Sequence, residues 1–96
     1  MADLLVLEFA SGVGPEQYAA VNEQLGLGDG AEGWPEHMSY HVAGESGGKF
    51  VVVEVWDSQA DEEEFLHNRL MPAFQAVGVP QPSRVEWLSL VGEHRG

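Results

Sequence analysis

Apolar and polar positions along this chain switch between a strand period and a helix period, and the switches mark out the elements. Leu4 to Phe9 (LLVLEF) is a short apolar run with the length of a buried strand. Ser11-Gly12-Val13-Gly14 breaks it, and Pro15 stands where the first residue of a helix loses nothing by lacking an N–H. Tyr18, Val21 and Leu25 follow at i, i+3 and i+7, and Gly26 is a left-handed stop. Gly26 to Pro35 (GLGDGAEGWP) reads as a loop, longer than most connections. Two strand-like runs come next, HMSYHVAGE from His37 and FVVVEVWD from Phe50. The Gly47-Gly48 pair between them is a two-residue hairpin signal. Asp57 or Ser58 caps the following helix, with Ser58-x-x-Asp61 resembling a capping box. Asp61, Glu62, Glu63 and Glu64 fill its first turns, where negative charge meets the positive end of the helix dipole. Leu66, Leu70, Phe74 and Val77 supply its apolar stripe, and Pro72 is expected to kink the helix or end its first segment near Met71. Arg84 to Val91 alternates as a last strand.

The order β-α-β-β-α-β predicts an α+β chain forming a single domain over residues 1–96. It is the split βαβ, ferredoxin-like plan: a four-stranded antiparallel sheet with two helices on one face. With Gly47 and Gly48 at the turn, residues whose numbers sum to 95 oppose each other across the hairpin. Val42 then opposes Val53, Tyr40 opposes Val55 and Gly44 opposes Val51. With Met38 they form an apolar face expected to pack under the helices. The other face receives Ser39 opposite Trp56, His41 opposite Glu54, Ala43 opposite Val52, and Phe50. A one-residue slip would exchange the faces of a strand. On this register no element remains to cover Phe50, Val52 and Trp56, and exposing two large aromatics wastes several kcal/mol at ~25 cal/mol per Å2. A second copy of the chain, packed sheet to sheet, is the expected cover, giving a homodimer and a dimeric α/β barrel.

Composition narrows the partners. Four Lys+Arg against 16 Asp+Glu leave a net charge of −12 in 96 residues. That argues against nucleic acid and against anionic membrane surfaces, both of which select basic clusters. It also weakens the rival use of an aromatic sheet face, stacking on single-stranded RNA. With 44% apolar residues and nine aromatics the chain is not a disordered acidic tail. Cysteine is absent, so disulfides, thiolate metal sites and cysteine nucleophiles are excluded. The N-terminal MADLLVLEFA lacks the positive region of a signal peptide, and no apolar stretch approaches the ~20 residues of a membrane span. The expected location is cytoplasmic.

Val53-Glu54-Val55-Trp56-Asp57-Ser58, then Phe65 and Leu70-Met71-Pro72, resemble the dimeric α/β-barrel superfamily. They are most similar to small actinobacterial-type proteins grouped with antibiotic biosynthesis monooxygenase domains. Tyr18 to Gly26 (YAAVNEQLG) is also similar to the first helix of that group. The resemblance covers most of the chain. It implies a cofactor-free monooxygenase, or a related isomerase or cyclase, acting on a small aromatic or polyketide-like substrate. In such enzymes the substrate's own electron-rich ring activates oxygen, and pocket residues deprotonate and hold a phenol. The alternative within the superfamily is a non-enzymatic dimeric barrel that binds a small ligand or protein partner.

Among the residues themselves, His41 with Glu54 is the sharpest pair. Directly opposed on adjacent strands, their Cβ atoms would lie within ~4.5–5.5 Å, so Glu54 can orient the imidazole as a general base. The alternative is a buried pair that satisfies itself within an interface. Trp56, with Ser39, Phe50 and Val52, would wall a substrate pocket, Trp56 offering its indole N–H to a carbonyl. Tyr40 is expected in the core. His67 is expected in solvent, and Arg69 is expected to pair with Glu62 or Glu63. No metal site is expected: His37 and His41, four apart in a strand, would stand ~13 Å from each other. No sequence feature selects His41 or His67 as a haem ligand. The glycines of GLGDGAEG make no phosphate cradle, since Asp29 and Glu32 would repel phosphate. Trp34 would either close the cavity as part of a lid or pack onto the helices.

Overall fold

The computed structural model describes residues 2–27 and 33–94. Four strands, β1 (Asp3–Glu8), β2 (Met38–Ser46), β3 (Lys49–Trp56) and β4 (Arg84–Ser89), form one antiparallel sheet in the order β2-β3-β1-β4. Helix α1 (Pro15–Leu25) joins β1 to β2. A second helical rod joins β3 to β4 and is built of α2 (Gln59–Phe65), a π-helical turn (Leu66–Leu70) and α3 (Met71–Val77). This is the ferredoxin-like βαββαβ plan, with both helical segments on one face of the sheet. Among the described residues no helix is long and apolar enough to cross a membrane.

The local signals act where the sequence places them. Pro15 starts α1, Gln17 Oε1 accepts from the Gly14 N–H at 2.9 Å, and Gly26 ends the helix with φ +74°. Ser58 Oγ caps α2 by accepting from Asp61 N–H at 3.2 Å. Gly47 and Gly48 take φ +58° and +79°, so the hairpin turn lies in the left-handed region that glycine tolerates and whose twist matches the strands. Pro72 does not end the rod, but the regular α-helix is interrupted just before Met71. Its ring would clash with a carbonyl one turn back, and the π turn just before it, with Met71 N–H bonding to Leu66 O, absorbs the misfit.

The hairpin register holds from Tyr40 to Ser46 and shifts by one at Ser39, so that Met38, not Ser39, partners Trp56. The faces are the reverse of the expected ones. Phe50, Val52 and Trp56 lie under the helices with Leu5, Leu7 and Phe9, and Trp56 is only 1% exposed. Tyr40 and Val42 stand instead on the uncovered face, 42% and 56% exposed. The bulky aromatics are what fills the space between sheet and helices, joined there by Val21, Phe65, Leu70 and Phe74. His41 and Glu54 share this face because each finds a partner there, so their polarity does not exclude it from the core.

Arg69 also departs from expectation. Glu62 and Glu63 stand seven and six residues before it, whereas helical side chains meet at three or four. Its guanidinium lies 5.3 Å from the Phe65 ring centroid and donates to Leu25 O (2.9 Å) and Gly33 O (3.0 Å). It thereby ties the negative end of α1 and the start of the β2 approach to the rod.

Candidate functional site

A chain of hydrogen bonds runs from α1 through β2 into β3. Tyr18 Oη lies 2.7 Å from His41 Nε2, His41 Nδ1 lies 3.0 Å from Glu54 Oε2, and Trp56 Nε1–H donates to Glu54 Oε1 at 2.9 Å. The hairpin register sets His41 opposite Glu54, and the two-residue strand period puts Trp56 beside Glu54 on the same face. Tyr18 reaches them from the first turn of α1, its ring stacked on the imidazole at an interplanar angle of 16°. The His41 and Glu54 side chains are 13% and 6% exposed.

The donors and acceptors assign the protons. Indole N–H can only donate, so Glu54 is the acceptor for Trp56, and its second oxygen pairs with His41 when Nδ1 carries the hydrogen. Nε2 then presents a lone pair, into which the Tyr18 hydroxyl donates. The imidazole is held as a base pointing at a phenol, with a carboxylate behind it and an indole steadying the carboxylate.

Two neighbouring spaces adjoin this chain. An inner apolar cavity of about 50 Å3 lies between sheet and helices and is lined by Phe50, Val52, His41 and Tyr18. An outer recess of about 470 Å3 opens to solvent and is lined by Tyr18, Asn22, Trp34, Ser39, Tyr40 and His41. Tyr18, Trp34 and His41 belong to both and form the partition. Trp34 is half-buried with its ring 4.8 Å from that of His41, so it flanks the imidazole.

The structure therefore brings His41, Glu54, Phe50 and Val52 to one site and puts Ser39 at its outer rim, where Ser39 Oγ donates to Val55 O at 3.3 Å. Trp56 lines neither space and touches the site through Glu54. Tyr18 and Trp34 complete it. Both spaces are lined by one chain's own residues, so they exist without a second copy.

His37 and His41 serve different partners. His37 Nδ1 pairs with Asp57 Oδ2 at 3.1 Å on the surface, and that hydrogen bond, aided by Asp61, raises the His37 pKa above its usual value. His37, Asp57 and Asp61 place ligand atoms within 4.8 Å of one another, yet Ser58 already engages Asp61 in the helix cap. His67 is exposed. Gly28, Asp29, Gly30 and Glu32, read above as part of a loop without a phosphate cradle, lie outside the described residues.

No family model matches the chain, and no curated protein is similar to it in sequence. Its fold is that of solved structures of the antibiotic biosynthesis monooxygenase type. The chain is 18% identical to a candidate antibiotic biosynthesis monooxygenase from Chloroflexus aurantiacus, with a TM-score of 0.65 over 99% of this chain and 98% of that one. The Mycobacterium tuberculosis protein Rv0793 superposes with a TM-score of 0.68 at 16% identity, over 99% of this chain and 100% of its own. A further candidate antibiotic biosynthesis monooxygenase, from Caulobacter crescentus, gives 0.64 at 18% identity over 95% and 91%.

Proposed function

We propose that the chain binds a small aromatic or polyketide-like molecule in the recess and removes a proton from it, as a cofactor-free monooxygenase or a related isomerase or cyclase. The observation that carries this reading is the Tyr18–His41–Glu54 chain, which ends in a recess of about 470 Å3. That volume falls in the ~300–1,000 Å3 range of small-molecule sites. Trp34 offers a flat apolar wall. A phenol or acidic C–H brought to the position of the Tyr18 hydroxyl gives its proton to His41 Nε2 directly, or through Tyr18 as relay. Glu54 stabilises the imidazolium that forms, and Trp56 holds Glu54 in place. The resulting anion is electron-rich. For a ring methylene, reaction with dioxygen leaves one oxygen on the carbon as a carbonyl, and the second departs as water with the two hydrogens.

A second reading, a binding barrel without chemistry, is favoured by the inner cavity, whose 50 Å3 admits water but no ring. Proton exchange separates the two. Naphthols and cyclic 1,3-diketones, incubated anaerobically in D2O with the protein, should exchange their acidic C–H faster than in buffer, and oxygen uptake should follow when air is admitted. His41→Ala should abolish the exchange. Glu54→Gln should cut it about 100-fold by presenting N–H to Nδ1 and turning the Nε2 lone pair away from the recess. Binding with no exchange supports the second reading, and full exchange by the His41→Ala protein removes the proposed base.

The uncovered sheet face, carrying Tyr40, Val42, Val53, Val55 and Leu88, is assigned to a second copy of the chain in this proposal. That assignment is independent of the proton chemistry.

A further inference from the structure

A second cavity lies on the far side of the core from the recess. It measures about 330 Å3 and is bounded by β1, the edge strand β4, the helical rod and the segment leading into β4. Leu5, Leu66, Leu70, Met71, Phe74 and Val85 make most of its wall. Leu7, Leu70 and Phe74 also line the inner cavity below His41, so they separate the two spaces. Benzene fills an apolar cavity of ~150 Å3, so a ring with a short tail fits here.

The cavity holds one carboxyl. Glu62 is a buried residue, 6% exposed, and opens into it from α2. Among the described residues its carboxyl has no ion pair or hydrogen bond, in contrast to Glu54, whose two oxygens are both engaged. No Lys or Arg lines the space, whose other polar groups are His67 and Gln81. A carboxylate largely withdrawn from water, with its oxygens facing only the cavity's opening and no cation beside them, is destabilised, and a cation delivered by a ligand relieves it. The chain's net charge of −12 draws cations towards it.

We propose that this cavity is a binding site for a compact apolar amine, with the ammonium group on Glu62 and the hydrocarbon body against Leu5, Leu66, Phe74 and Val85. The recess at His41 plays no part in it. Burial holds Glu62 protonated up to about pH 7, with Glu54 and Glu63 adding to the effect. Above that pH the carboxylate is ready for an ammonium ion.

Titration with 2-phenylethylamine at pH 8, followed by NMR of the methyl groups, tests the assignment, with 2-phenylethanol as the neutral control. The Leu5, Leu66 and Val85 methyls should shift, and the amine should bind at least about tenfold tighter than the alcohol. Glu62→Gln should erase that preference while leaving alcohol binding unchanged. Val85→Phe, which narrows the mouth and keeps Glu62, should weaken both ligands. Equal binding of amine and alcohol by the wild-type chain would mean that an apolar cavity with no cation preference is all that is present. Shifts confined to the Met38 methyl beside the recess, or none at all, would place the amine elsewhere or nowhere. Either result overturns the proposal.

Discussion

Glu54 and Glu62 are carboxyls in the same core, and their partners make them opposites. Glu54 accepts from an indole and an imidazole. Glu62 meets apolar walls, and burial, reinforced by the nearby Glu54 and Glu63, lifts its pKa from 4.5 to about 7. The folded chain therefore holds this proton more tightly than the unfolded chain does. Its contribution to stability is complete below about pH 4.5 and is lost as pH rises through 7. At ~1.36 kcal/mol per pKa unit, reduced for solvent reaching the carboxyl through the cavity, the loss is of the order of 2 kcal/mol. Glu62→Gln should thus gain stability over the wild-type chain between pH 5 and pH 8 by about that amount, read from urea unfolding at both pH values. A difference that does not change with pH would show that Glu62 ionises freely. Sequence could not flag this residue, because Glu62 sits in a run of four acids whose ordinary place is a solvated helix start. His41 and Glu54 were legible, because a two-glycine turn fixes the register and the register fixes the pair. Tyr18 was hidden: the helical period places its ring on the buried stripe with Val21 and Leu25 and says nothing of where the hydroxyl lands.

Elements were legible wherever their signals are local. Pro15, Gly26, Gly47-Gly48 and Ser58 each act within one turn of themselves, and each stands at the boundary it was read to mark. The choice of sheet face was not local. Both faces of the hairpin alternate plausibly, and the one carrying Phe50, Val52 and Trp56 also holds the polar pair His41 and Glu54, whose outer partner, the Tyr18 hydroxyl, arrives from α1. The π turn was also beyond reach, since a proline announces a misfit and not the way the backbone resolves it. That turn precedes Pro72 and contains Arg69, whose two N–H groups hold Leu25 O and Gly33 O. Gly33 adjoins Trp34, so the rod steadies the wall of the recess at a distance. Arg69→Lys keeps the charge but cannot span both carbonyls or stack on Phe65 in the same way. It should cost about 1–3 kcal/mol of stability. It should also raise the hydrogen-exchange rate of the Trp34 indole while leaving that of Trp56 unchanged. Equal acceleration of both indoles would mean general loosening and no specific link between rod and recess.

For the whole molecule, what counts is where its scarce cations are spent. Lys49 Nζ bonds Glu8 at 3.1 Å, Arg84 lies 3.6 Å from the same carboxylate, and Arg84 also pairs with Glu86. By the strand period all four residues share the uncovered sheet face with Val6, Val53, Val55 and Leu88. That face is locally neutral on a chain of net charge −12. It also exposes apolar side chains on both edge strands, Val42 on β2 at 56% and Leu88 on β4 at 55%. A neutral apolar face suits a second copy, and the remaining acids must then be brought together against their mutual repulsion. Salt screens that repulsion over a Debye length of ~10 Å at 0.1 M and leaves apolar contact intact. Dimerisation should therefore strengthen with added salt, with Kd falling about tenfold or more between roughly 20 and 300 mM NaCl. Sedimentation equilibrium across that range reads it directly. Val42→Asp sets a charge on the face without touching the core, and should give a folded monomer at every salt concentration. A wild-type chain that stays monomeric at high salt would leave the apolar face without its proposed partner. A dimer that dissociates as salt rises would show that ion pairs, not the valines, hold the two copies together.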